Sequence, residues 1–279
     1  PKIILCKVSF GPWIENICPF IGITGSSVSK WLLQAPLHKT ASCAVIVWIS
    51  PSALQIRTPS NVLLLLNNSF TSTPSWNKGV IHPLQLAIDV METMDNGDHL
   101  VFDGGNTHFW SEIAANLVAQ NGKILSKIMH PGSFSLLGLG VSFAISLKRI
   151  NPNDTVVLIS GDGAFLSGGL SIEVAFQENL PIIVIIDNNG GLDCISQQQE
   201  RMFDSGSHFA TDFRDIPFHE MFIGLGGYGE LVADKKNIKS ALKRAIESKK
   251  TACINVKTRG QISPIVAATS DKRDKSSIE

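Results

Sequence analysis

The 279 residues carry 24 basic and 24 acidic side chains, so the formal net charge is zero, and 44% of them are hydrophobic. That composition supports a packed core and excludes a disordered chain; the charge balance argues against a nucleic-acid partner, because affinity for a phosphate backbone needs an excess of Lys and Arg. Five scattered cysteines without a CxxC pair fit a reduced, cytoplasmic protein, and the apolar runs at 44–49 and 62–66 fall far short of the roughly 20 residues of a membrane span.

Residues 1–80 differ in character from the rest. They hold Trp13, Trp31, Trp48 and Trp76, with six basic residues against the single acid Glu15, while the remainder is net acidic. Such asymmetry predicts a boundary near position 80. Prolines cut this stretch into short pieces, and strands at 44–49 and 62–66 are the elements expected in it. No secretory signal pattern opens it.

From Ile81 the pattern becomes regular. His82 and Pro83 read as the cap and first position of a helix whose apolar residues Leu84, Ala87, Ile88 and Met91 share one side until Asn96 and Gly97. A strand at 99–102 runs into DGGNTHFW at 103–110, a glycine turn with Thr107 as candidate cap of the following helix. A strand at 123–128 leads to His130, Pro131 and the stretch FSLLGLG, where Leu137 reads as a core leucine at a helix start.

The stretch 156–192, VVLISGDGAFLSGGLSIEVAFQENLPIIVIIDNNGGL, organises the chain. Residues 156–159 and 182–186 are β-branched runs without polar interruption, as in central strands of a parallel sheet buried on both faces. A helix over 168–179 joins them in a βαβ crossover. The turns GDG at 161–163 and NNGG at 188–191 then follow the carboxyl ends of neighbouring strands, where open α/β sheets bind ligands. Asp162 offers a carboxylate and Asn189 an amide carbonyl, hard oxygen donors that suit Mg²⁺. A diphosphate is the natural partner, with the amides of Gly163 and Ala164 placed to meet an anion near a helix start.

Beyond NNGG, residues 194–204 and the polar run after them read as a loop able to cover a ligand. His208 and His219 have no partner readable from sequence. GLGGYG at 224–229 matches G-x-G-x-x-G, but a helix-like stretch at 217–223 precedes it and a strand-like one at 230–233 follows, the reverse of a dinucleotide fingerprint. An amphipathic helix at 237–249 and a strand at 251–256 that closes the sheet come next, and 265–279 is a polar tail.

GDG, with Asp162 lying 27 positions before the second asparagine of NN, resembles the signature of thiamine diphosphate (ThDP) enzymes, in particular the acetolactate synthase and pyruvate decarboxylase type. The resemblance implies an open parallel sheet with helices on both faces over 81–264, the ThDP diphosphate-binding domain. Before it stands a divergent or remnant central-domain segment, 1–80; after it, the tail 265–279. It implies Mg²⁺ held by Asp162, the Asn189 side chain and the Gly191 carbonyl. Gly105, Asn106 and Thr107 would touch the diphosphate, with Gly161, Gly163 and Ala164 beside it. Leu137 would hold the two cofactor rings folded together, and the Ser135 carbonyl would receive the aminopyrimidine amine.

Several positions depart from the family pattern: Ser135 replaces a glycine, Ser142 a proline, Ala164 a frequent serine and Ser171 a glutamate. A further glutamate, on a separate pyrimidine-binding domain, has no counterpart here. The resemblance therefore implies a 2-oxo acid decarboxylase or carboligase that works as a homo-oligomer or with a separate pyrimidine-domain subunit. A noncatalytic ThDP-binding subunit, a truncated inactive product, and a nucleotide-diphosphate enzyme unrelated to thiamine stay open.

Overall fold

A computed structural model describes residues 81–132, 136–203 and 208–270. The strands expected at 44–49 and 62–66 and the residue Ser135 lie outside the described residues, as does the tail beyond 270. Six strands form one all-parallel sheet: β1 (His99–Asp103), β2 (Lys127–Met129), β3 (Val156–Gly161), β4 (Ile183–Asn188), β5 (Tyr228–Val232) and β6 (Ala252–Lys257). Their spatial order is β2-β1-β3-β4-β6-β5. The chain leaves β1 in one direction and β3 in the other, so the strand order reverses between them, and the crevice beyond their carboxyl ends is a topological switch point.

Every residue of β1, β3 and β4 is buried, which is why these strands read as unbroken apolar runs and carry no alternation. On one face, Val101, Leu158, Val184 and Ile186 pack with Val141, Ala144 and Ile145 of α3 (Gly140–Ile150) and with Phe165, Phe218 and Phe222. The alternate residues, Leu100, Phe102, Val157 and Ile159, point to the other face. There α2 (Asn106–Gln120) lies against β1 and β3, and α1 (Pro83–Thr93) packs on α2. The cap of α1 is the expected one: the His82 ring accepts a hydrogen bond from the Leu84 amide at 3.1 Å, with Pro83 at the first helical position.

Four expectations are corrected. The crossover helix starts at Asp162 itself and is broken: α4 (Asp162–Gly168), a 3₁₀ turn (Gly169–Ile172) and α5 (Glu173–Gln177). The break falls at a glycine pair, because a Cβ at Gly168 would lie 2.1 Å from the Gly138 carbonyl oxygen and one at Gly169 would enter the Phe165 ring. The strand expected at 123–128 shrinks to the half-buried edge strand β2. The loop expected at 194–204 is helical, α6 (Asp193–Met202). The strand at 251–256 does not close the sheet; β6 lies inside it, and β5 forms the edge.

The glycine cluster at 224–229 does what its context predicts: α7 (Phe218–Gly224) ends there and β5 begins. A 3₁₀ turn (Lys235–Asn237) and α8 (Ile238–Glu247) follow, with Ile238, Ala241, Leu242 and Ala245 buried. After β6, the segment from 265 begins as helix, α9 (Pro264–Ser270). Among the described residues no helix is long and apolar enough to cross a membrane.

Candidate functional site

The parallel register sets Asp103 beside Ser160 and Gly161 beside Asp187, so the turns after β1, β3 and β4 open at one level. Asp162 is the first residue of α4 and only 2% exposed. Three amides serve its carboxylate: Gly163 N–H at 2.7 Å, Gly190 N–H at 2.8 Å and Gly191 N–H at 3.1 Å. The Gly191 amide also donates to Asn189 Oδ1 at 3.2 Å, so the two turns meet at one N–H. Close approach needs the glycines: a Cβ at Gly191 would stand 2.6 Å from the Thr211 carbonyl oxygen.

Burial pushes the Asp162 carboxyl up to about 7, and the nearby Asp187 adds to this in spite of the three amides. Asp187 is buried at the end of β4 and is likewise raised by burial; it accepts from Thr107 Oγ1 at 2.7 Å and from the Thr258 hydroxyl. Among the described residues neither carboxylate forms a salt bridge with Lys or Arg. Two buried carboxylates with an amide oxygen close by make a donor set that fits a hard divalent cation. The amides of Gly163, Gly190 and Gly191 in these turns are engaged by the Asp162 carboxylate.

The other expected residues are distributed around this centre. Gly161 abuts Thr107, whose Oγ1 would lie 3.0 Å from a Cβ at that glycine. Ala164 is buried in the first turn of α4. Gly105, rather than Thr107, is the N-cap of α2, because the Thr107 hydroxyl is committed to Asp187. Asn106 reaches sideways: its amide donates to Asp193 at 3.2 Å and Gln197 at 3.1 Å, and its carbonyl accepts from the Ser263 amide. Leu137 is no helix-start core residue; it stands 38% exposed in the turn before α3. Next to it, the Gly138 amide donates to the Asp103 carboxylate at 3.1 Å, which ties this turn to the end of β1.

Three acids were missed in the sequence. Asp103 is buried, its carboxyl raised by that burial, and it accepts from Gly140 at 2.7 Å as well as from Gly138. Asp187 and Asp193 complete the group. The signal was available, since an acid at the end of an apolar strand is buried only with partners. α6 is held in place by its own first residue: Gln197 donates to both Asp193 oxygens, at 3.0 and 2.9 Å, while Asn106 approaches from α2. His208 does have partners, Glu200 at 2.8 Å and Asp212 at 3.2 Å. His219 Nδ1 lies 3.3 Å from Asn255 Nδ2.

Residues 103–256 match the family model described as thiamine pyrophosphate enzyme, C-terminal TPP binding domain. The chain is 30% identical over 153 residues to human 2-hydroxyacyl-CoA lyase 2, covering 55% of this chain and 23% of that protein. It is 27% identical over 179 residues to a probable acetolactate synthase of Mycobacterium bovis, covering 64% and 31%. Among solved structures, the thiamine diphosphate-dependent 4-hydroxybenzoylformate decarboxylase of Rhodococcus jostii RHA1 superposes with a TM-score of 0.56 at 25% identity, over 66% of this chain and 34% of that one. The chain thus spans about a quarter to a third of the length of these relatives.

Proposed function

Because the chain belongs to the thiamine pyrophosphate enzymes through their C-terminal TPP-binding domain, we propose that it is the ThDP- and Mg²⁺-binding domain or subunit of an acetolactate synthase-like 2-oxo acid decarboxylase or carboligase. The observation that carries this reading is the meeting of Asp162 and Asn189 at the Gly191 amide, beside the buried Asp187. In it, Asp162, the Asn189 side chain and the Gly191 carbonyl hold Mg²⁺. Gly105, Asn106, Thr107, Gly161, Gly163 and Ala164 line the diphosphate, and Leu137, with the Ser135 carbonyl, supports the rings.

When bound, the cofactor supplies an electron sink for cleaving the bond next to a carbonyl. The chain's own residues orient and exclude. Burial keeps water from the Asp162 carboxylate, and the Thr107 and Thr258 hydroxyls fix the nearby Asp187. In this proposal the glutamate on the pyrimidine side lies outside residues 1–279, and the protein works as a homo-oligomer or with a separate pyrimidine-domain subunit. The domain bounds of this proposal are 1–80, 81–264 and 265–279. Similarity to human 2-hydroxyacyl-CoA lyase 2 favours one further reading, lyase action on a 2-hydroxyacyl-CoA by the same site.

Isothermal titration of the purified chain with ThDP, with and without Mg²⁺, tests the assignment. Wild type gives magnesium-dependent heat and Asp162→Ala gives none. Equal binding by the two proteins removes Asp162 from the metal.

A further inference from the structure

A cluster that the proposed function leaves unused begins one residue after Thr107. His108 and Glu112 stand four apart on α2, hence one above the other, with Nε2 and Oε1 3.0 Å apart. His130 follows β2 directly and brings its ring centroid to 4.8 Å from that of His108. One donor atom from each of the three lies within 4.8 Å of the others. His108 is buried and the other two are half-buried.

We propose that His108, Glu112 and His130 bind a borderline transition cation, Zn²⁺ or a close analogue, at a site separate from the Mg²⁺ ligands. Two imidazoles and one carboxylate are the donor set of open zinc sites, in which water takes the fourth position. Imidazole nitrogens select for such ions over Mg²⁺, which prefers oxygen. Metal–ligand bonds of about 2.0–2.2 Å put neighbouring donors of a tetrahedron roughly 3.3–3.6 Å apart. The His108–Glu112 pair, at 3.0 Å, stands slightly closer than that, and a His130 donor lies within 4.8 Å of both.

Two hydrogen bonds oppose binding, the first being that between His108 Nε2 and Glu112 Oε1, which coordination of both atoms gives up. His130 Nδ1 accepts from the Gly132 amide at 3.1 Å. A neutral imidazole has a single lone pair, so coordination through either nitrogen gives up that contact. Occupancy would in return clamp the first turns of α2, which carry Asn106 and Thr107, to the connection leading to Leu137. The site stands whether or not the thiamine reading does, because none of its ligands belongs to that reading.

The test is titration of the chelator-stripped full chain with Co²⁺ under excess Mg²⁺, followed by visible absorption. Wild type is expected to take up one equivalent with the intense bands of tetrahedral Co²⁺ and no thiolate charge-transfer band. Glu112→Gln and His130→Ala, with folding checked by circular dichroism, are expected to bind tenfold more weakly or worse. As a second readout, Zn²⁺ raises the unfolding midpoint of wild type and not of either variant. Unchanged Co²⁺ affinity in both variants, a thiolate band, or no uptake by wild type would overturn the proposal.

Discussion

The side chains around the two glycine turns are acids whose burial is tolerated only because other groups serve them. Asp162 keeps three amides, Asp103 two, and Asp187 two hydroxyls. Each is nevertheless shifted upward, because removal from water penalises the charged form more than these hydrogen bonds favour it. His208 shows the opposite balance. The hydrogen bond it donates to Glu200, helped by the one it donates to Asp212, raises its imidazole above 6.5 in spite of desolvation. A raised folded value means that its contribution to stability is full below 6.5 and is lost as pH rises through the raised value. NMR titration should place the His208 midpoint above 6.5 in wild type and lower in Glu200→Gln. A midpoint that Glu200→Gln leaves in place would show that the Glu200 contact does not exist in solution.

Among the elements, the interrupted crossover between β3 and β4 departs furthest from its sequence pattern. Leu170, Ile172, Val174 and Phe176 carry enough apolar character to suggest one continuous helix, yet Leu170 is 81% exposed and the helix begins six residues earlier. Contact across the structure decides this: the Gly138 turn presses on Gly168, and only a hydrogen at that Cα leaves room. Gly168→Ala should therefore cost about 1–3 kcal/mol in urea unfolding, as overpacked sites do. Gly224→Ala, at a position with open space around it, should cost nothing measurable and serves as the control. Equal midpoints for the two variants would mean that the Gly138 turn yields freely.

The apparent loop after NNGG teaches the same lesson at smaller cost. Its glutamines looked like a polar lid, but Gln197 lies one turn beyond Asp193 on α6 and closes a hydrogen-bonded group with Asn106. A polar helix whose partners come from another element has little apolar periodicity to announce it.

At the scale of the whole molecule, the sheet order places the carboxyl ends of β1, β3 and β4 side by side and leaves the glycine turns at its rim. The match to the C-terminal TPP binding domain covers residues 103–256, and the chain spans only a minor part of its relatives. Turnover should accordingly depend on what faces that rim. In an assay of CO₂ release from 2-oxo acids, the isolated chain with ThDP and Mg²⁺ is expected to be inactive and to gain activity when a pyrimidine-domain protein is added. Full activity of the chain alone would refute the need for an outside glutamate.

How much was legible follows from which interactions are local. The β-branched runs, the His82–Pro83 start and the GDG and NNGG turns announce themselves because strand burial, capping and tight turns are written in neighbouring residues. From them the parallel α/β class, the adjacency of β3 and β4 and the thiamine family could be read without coordinates. The fate of Thr107, the break at Gly168, the helical state of α6, the inner position of β6 and the grouping of His108, Glu112 and His130 depend on residues 18 to 80 or more positions away. A chain specifies such contacts only through the packing of all its elements at once, and that is what the tertiary structure decided.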